Sequence, residues 1–142
     1  DAARPFVFPN ELMNVMAKTR ASGAAMLAHP VRDTLKRVEG DVIRDNVDRA
    51  QLWAAQTPQC FRRDQLLAAF AKHNTKDVTD DAAMAALDGV ICHVVVGSGL
   101  NFKITTAEDM EMAEALLKAK NASAIFTRLP DNETIFDLGP GK

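Results

Sequence analysis

The chain is poor in the patterns that announce disulfides, metals, nucleic acids or membranes. Only two cysteines occur, Cys60 and Cys92. They form neither a C-x-x-C pair nor a zinc spacing, and they read as buried free thiols. The three histidines, His29, His73 and His93, are scattered, so a metal site built from them would need the fold to gather them. The net charge is only -2, and no global basic field points to nucleic acid. A few local Arg and Lys residues still suffice for a small anionic substrate. No run approaches the ~20 apolar residues of a membrane span, and no charged-then-apolar signal segment opens the chain. The expectation is a cytoplasmic protein without nucleic-acid or membrane partners. The chain opens on Asp1 with no initiator methionine, as a processed, cleaved or partly observed polypeptide would.

What is present suits one domain, or a large piece of one. The 142 residues are 47% hydrophobic and 25% charged, ordinary values for a globular protein. Residues 10–20 read as a helix with Leu12, Val15 and Met16 at helical spacing, started by Pro9 and Asn10. Ser22-Gly23 breaks it. Residues 24–31 form a short apolar run expected to be a buried strand. Residues 32–49 are rich in charge and β-branched side chains, with a Glu39-Gly40-Asp41 turn at the centre, which predicts a hairpin. Such a polar hairpin has little core of its own; it is either a solvated excursion or an arm that packs on something else.

Residues 52–61 hold Trp53 and a Thr57-Pro58-Gln59 break, and Pro58 argues against a central strand there. Residues 63–72 read as a helix with Leu66, Leu67 and Phe70 on one face. Thr79 or Asp80 is placed to cap a helix over residues 82–87. Residues 90–96 are an apolar, β-rich run between Gly89 and Gly97. Residues 102–104 form a second extended piece, after which Thr105 or Thr106 caps a helix through Lys118 that carries Met110, Met112, Ala113, Leu116 and Leu117. The alternation predicts an α/β architecture. Residues 121–142 read as an extended tail or partner-binding arm, with Ala124-Ile125-Phe126 and Ile135-Phe136 as anchors.

Six motifs then occur in fixed order: Asp1-Ala2-Ala3-Arg4-Pro5, Pro30-Val31-Arg32-Asp33-Thr34-Leu35-Lys36-Arg37, Val47-Asp48-Arg49 with Leu52-Trp53, Gln56-Thr57-Pro58-Gln59-Cys60-Phe61, Val78-Thr79-Asp80-Asp81-Ala82, and Asn101-Phe102-Lys103-Ile104-Thr105-Thr106. Together they resemble the 2-C-methyl-D-erythritol 4-phosphate cytidylyltransferase family, over about residues 1–120. The resemblance implies the C-terminal portion of a Rossmann-like nucleotidyltransferase fold. It implies a protruding β-arm at residues 31–50 that builds a homodimer. It also implies transfer of a cytidylyl group from CTP to methylerythritol phosphate with release of pyrophosphate, assisted by Mg²⁺ or another divalent cation.

The resemblance also assigns residues. Arg49 and Lys103 would be catalytic, positioning the sugar phosphate, with Arg49 reaching over from the neighbouring subunit; a planar guanidinium suits a phosphate. Asp1, Arg4, Thr34, Thr57 and Thr79 would join them in binding substrate. Asp1 and Ala2 would lie near the nucleotide, and Asp1 would face the metal as a hard oxygen ligand. Blander roles stand beside these. Arg49 could pair with Asp48 or Asp45, Lys103 could flank a sheet, and Asp1 could cap a turn. Thr34 could be a strand residue, Thr57 a turn residue and Thr79 an N-cap.

The family's glycine-rich basic segment, which cradles the triphosphate, has no counterpart here, since Gly97-Ser98-Gly99 is a short turn. The segment against the cytosine ring is missing too. The chain alone is therefore expected to be catalytically incomplete. A ribitol 5-phosphate cytidylyltransferase and a non-catalytic dimerisation or regulatory module are the competing readings.

Overall fold

The computed structural model describes residues 2–73 and 77–121, and for residues 120 and 121 the backbone alone. The elements run α1 (Pro9–Ser22), β1 (Ala24–Pro30), β2 (Leu35–Glu39), β3 (Val42–Val47), β4 (Trp53–Phe61), α2 (Arg63–Lys72), α3 (Asp81–Leu87), β5 (His93–Val96) and α4 (Ala107–Asn121). Two compact units divide the chain, Asp1–Ile104 and Thr105–Lys142. The tail expected over residues 121–142 lies outside the described residues, apart from the backbone of Asn121 at the end of α4.

In the first unit, a three-stranded sheet has the order β4-β1-β5. β1 pairs antiparallel with β4 and parallel with β5, so that Cys60, Ala25 and His93 lie side by side across it. Residues 24–28 of β1 are all buried, from Ala24 to Ala28. That is the continuous apolar run of a central strand covered on both faces. Helix α1 packs across all three strands, and Val15, Ala25 and Leu27 form the core with Val7, Cys60 and Val95 against them. Full burial of a side chain such as Leu27 contributes roughly 1.5–3 kcal/mol.

The buried stripe of α1 differs from the expected Leu12–Val15–Met16 face. It is Glu11, Val15 and Thr19, while Leu12 is exposed. The polar members are tolerated because each is bonded. Glu11 Oε2 accepts from the Phe8 N–H at 2.8 Å. Its Oε1 accepts from the Ser98 N–H. Thr19 Oγ1 donates to the Val15 carbonyl at 2.8 Å and lies 3.4 Å from that of Cys60. Gly23, at φ 95°, ends the helix and sends its N–H back to the Thr19 carbonyl, a left-handed position that favours glycine.

Strand β4 is no central strand of the described sheet, as Pro58 implied, but the expected Thr57-Pro58-Gln59 break is a second correction. The strand spans nine residues straight through Pro58. It lies at an edge of the described sheet, where proline is tolerated. Its pairing also jumps from Ala28↔Ala55 to Met26↔Gln59, so Pro58 sits in a bulge that asks it for no ladder bond. Residues 102–104 correct a third: they form no strand, and are tied down by the Ile104 N–H to the Ala3 carbonyl at 2.8 Å and by the Phe102 ring against Phe6, 5.5 Å between centroids.

Strands β2 and β3 form a separate hairpin whose turn holds Gly40 at φ 63°. Helix α2 covers residues 63–72 as expected, but buries Ala69 and leaves Leu67 and Phe70 exposed. Asp80 caps α3, accepting the Ala83 N–H at 2.8 Å. In the second unit, Thr106 Oγ1 accepts the Asp109 N–H at 3.2 Å, and Asp109 Oδ2 accepts the N–H groups of Thr105 and Thr106 at 2.8 and 2.9 Å. These bonds form a capping box on α4. No helix among the described residues is long and apolar enough to cross a membrane.

Candidate functional site

The expected site residues fall into three places in the first unit. The densest surrounds Asn101, which is fully buried. Its backbone carbonyl accepts from Arg4 Nη1 at 2.7 Å and Gln56 Nε2 at 3.2 Å. Its side-chain amide donates to the Thr57 carbonyl at 2.9 Å. Arg4 Nη2 also donates to the Ala55 carbonyl, at 3.1 Å. Residues 2–4, the middle of β4 and residues 101–104 are thereby brought together, and with them Ala2, Arg4, Thr57 and Lys103.

Partial burial pushes the Arg4 guanidinium below its ordinary pKa, because desolvation disfavours the charged form. Two of its N–H groups are spent on main-chain carbonyls. Lys103 is exposed, and no hydrogen bond or ion pair engages its ammonium among the described residues. The expected strand end at Lys103 is instead a loop, held on either side by Asn101 and by the Ile104–Ala3 bond.

Thr79 lies in the segment tied to a later position of β4. It is exposed, and the cap of α3 falls to its neighbour Asp80. Gln59 fixes this segment to the strand: Nε2 donates to Asp80 Oδ2 at 3.0 Å and Oε1 accepts from the Ala82 N–H at 3.0 Å. Thr57 and Thr79 are thus joined through two positions of one strand.

The third place is the base of the hairpin. Arg49 Nη1 donates to the Arg32 carbonyl, and Thr34 is exposed just before β2. Neither acid weighed as an Arg49 partner pairs with it. Asp45 bonds Arg37 at 3.3 Å, and Asp48 accepts the Ala50 N–H at 3.0 Å. The single chain does not join this group to the Asn101 cluster by any hydrogen bond among the described residues. Asp1, expected beside nucleotide and metal, lies outside them.

Sequence reasoning passed over Glu11, Gln56 and Asn101, the buried polar residues beneath the site. Gln56 and Asn101 stand inside quoted motifs, yet nothing in the local pattern marks an amide as buried. The cysteines are free and half-buried, and burial pushes both thiols up. Among the described residues no cluster of three His, Cys, Asp or Glu is arranged to hold a metal.

The family model for 2-C-methyl-D-erythritol 4-phosphate cytidylyltransferase matches residues 1–119. The chain belongs to this family. A cytidylyltransferase of Bacillus velezensis is 42% identical over 126 residues, covering 87% of the chain and 54% of the relative. Its counterpart in Deinococcus radiodurans is 47% identical over 118 residues, covering 82% and 51%. The crystal structure of the Thermus thermophilus member superposes with a TM-score of 0.78 at 37% identity, covering 83% of the chain and 59% of that structure. The chain thus spans about half the length of the curated cytidylyltransferases it matches, and its α/β, Rossmann-like nucleotidyltransferase fold is that of the family.

Proposed function

We propose that the protein carrying this chain transfers the cytidylyl group of CTP to 2-C-methyl-D-erythritol 4-phosphate. A phosphate oxygen of the sugar phosphate attacks the α-phosphorus of CTP. The bond from that phosphorus to the bridging oxygen of the β-phosphate breaks, and pyrophosphate leaves. The observation that carries this reading is the family match over residues 1–119. In such a reaction two anions must meet in line, so the protein's task is positioning and neutralisation of charge.

The roles follow from chemistry and exposure. Lys103 offers an ammonium with no described partner on a backbone held from both sides, suited to the sugar phosphate. Arg4 is tethered by two carbonyls and offers its remaining N–H groups. The hydroxyls of Thr34, Thr57 and Thr79 are suited to sugar hydroxyls and phosphate oxygens. Asp1 and Ala2 would face the nucleotide. Magnesium would neutralise the triphosphate when bound, and Asp1 is the residue assigned to hold it.

Arg49 stands at the base of the hairpin rather than in the Asn101 cluster, which supports its use across a dimer, in a second copy's site. Val38, Val42 and Ile43 leave apolar surface exposed on the hairpin, as an arm that packs on another subunit would. The cytoplasm is the compartment this reading assigns.

The test is pyrophosphate release from CTP, with methylerythritol phosphate and ribitol 5-phosphate compared as acceptors, in the polypeptide as its host makes it. Release with methylerythritol phosphate is expected, and its absence sinks the reading. Arg49→Ala should raise KM for the sugar phosphate roughly tenfold or more and leave KM for CTP within about twofold. Unchanged sugar-phosphate kinetics would take Arg49 out of the site.

A further inference from the structure

Glu11, Gln56 and Asn101 are buried and each bonds Ser98, and none takes a role toward substrate in the reaction above. Ser98 is gripped from three directions. Its N–H donates to Glu11 Oε1, and its carbonyl accepts from Gln56 Nε2 at 2.9 Å and from the Asn101 N–H at 3.1 Å. Gly97 leaves the space this needs, since a Cβ there would lie 2.2 Å from Gln56 Oε1. Asn101 then ties the loop to Thr57 and Arg4. Lys103 follows two residues later, before the Ile104–Ala3 bond closes the segment.

This arrangement is not the one stability alone would select. Asn101 Oδ1 and Gln56 Oε1 are buried without a hydrogen-bond partner among the described residues. An unpaired buried acceptor is costly, and apolar side chains of similar shape would avoid that cost. What the amides supply is direction: each bond they make fixes a backbone that carries a candidate substrate-binding side chain.

We infer that Asn101 is a positioning residue, which sets where the Lys103 ammonium and the Arg4 guanidinium stand by fastening residues 97–103 to Thr57, Gln56 and Arg4. This rests on the reaction proposed above. Asn101 touches no reacting atom; it acts through the residues it holds.

The experiment compares Asn101→Ala, Asn101→Asp and Gln56→Glu in the polypeptide as its host makes it. Asn101→Asp keeps the shape and loses the donor to Thr57. Gln56→Glu keeps the shape and loses the donors to Ser98 and Asn101. Unfolding midpoints identify any variant that fails to fold, and the two isosteric changes carry the test if Asn101→Ala does. KM for methylerythritol phosphate should rise about tenfold or more in the folded variants, with KM for CTP within about twofold. A purely structural role would lower the active fraction and hence apparent kcat, leaving both KM values unmoved; that result overturns the inference.

Amide hydrogen exchange supplies a readout that needs no substrate. Exchange at Ile104 should quicken in Asn101→Asp, and unchanged exchange also overturns the inference. If the unaltered polypeptide releases no pyrophosphate, the reaction fails as a reading. Exchange at Ile104 then still decides whether Asn101 fixes the Lys103 segment.

Discussion

The β2–β3 hairpin and the Asn101 loop are held in opposite ways. Residues 36–46 of the hairpin are exposed throughout. Their order comes from neighbours in sequence: a ladder, a glycine turn, and the surface pairs Arg37–Asp45 and Arg44–Glu39 at 3.3 and 2.8 Å. The Asn101 loop has no ladder. Its long-range bonds join residues more than 40 positions apart, among them Gln56 to Ser98, Asn101 to Thr57 and Arg4 to Asn101. Regular pairing gives the hairpin its form, while buried polar bonds give the loop its place.

The comparison can be broken in order of effect. Leu27→Ala, in the core that carries both β1 and the site, should cost about 2–5 kcal/mol in chemical unfolding. A smaller loss would mean that the sheet is not the common support. Gly97→Ala forces a methyl group against Gln56 and should cost about 1–3 kcal/mol. A cost below about 0.5 kcal/mol would show that Gln56 moves aside freely, and the loop would then be no better fixed than the hairpin.

Arg37→Ala or Asp45→Ala should change stability by less than about 0.5 kcal/mol, since their side chains are 67% and 54% exposed. A larger loss would give the hairpin a support that its exposed surface does not reveal.

The cap of α4 gives the mildest test. Hydrogen bonds from the backbone N–H groups of Thr105 and Thr106 hold the Asp109 carboxyl down at about 2. A lowered folded value means that its stabilisation is present above the ordinary value of 3.8 and is lost as pH falls toward about 2. Exchange of the first amides of α4 should quicken over that interval, and Asp109→Asn should flatten the dependence.

Local chemistry announced much of the fold. The apolar run at β1, the turn at Gly40, the cap at Asp80 and the length of α2 each depend on residues near one another in the chain. The reading failed where a distant partner changed what a residue could do. The expected Thr57-Pro58-Gln59 break is a continuous edge strand because β4 bulges there opposite β1. Glu11 displaced Leu12 from the buried face because Ser98 and Phe8 supplied its bonds. The six ordered motifs pointed to the site residues, but not to the bonds among Arg4, Asn101 and Thr57.

The sequence by itself determined the family, the order of helices and strands in outline, and the residue types suited to a phosphate. These depend on composition, spacing and short-range propensity, which one chain displays openly. The tertiary structure alone decided that Asn101 is buried, that Lys103 rides on a loop instead of a strand, and that Arg49 stands apart with the hairpin. The physical reason is that a buried polar group is stable only where donors and acceptors converge on it, and that convergence exists only after distant segments have packed.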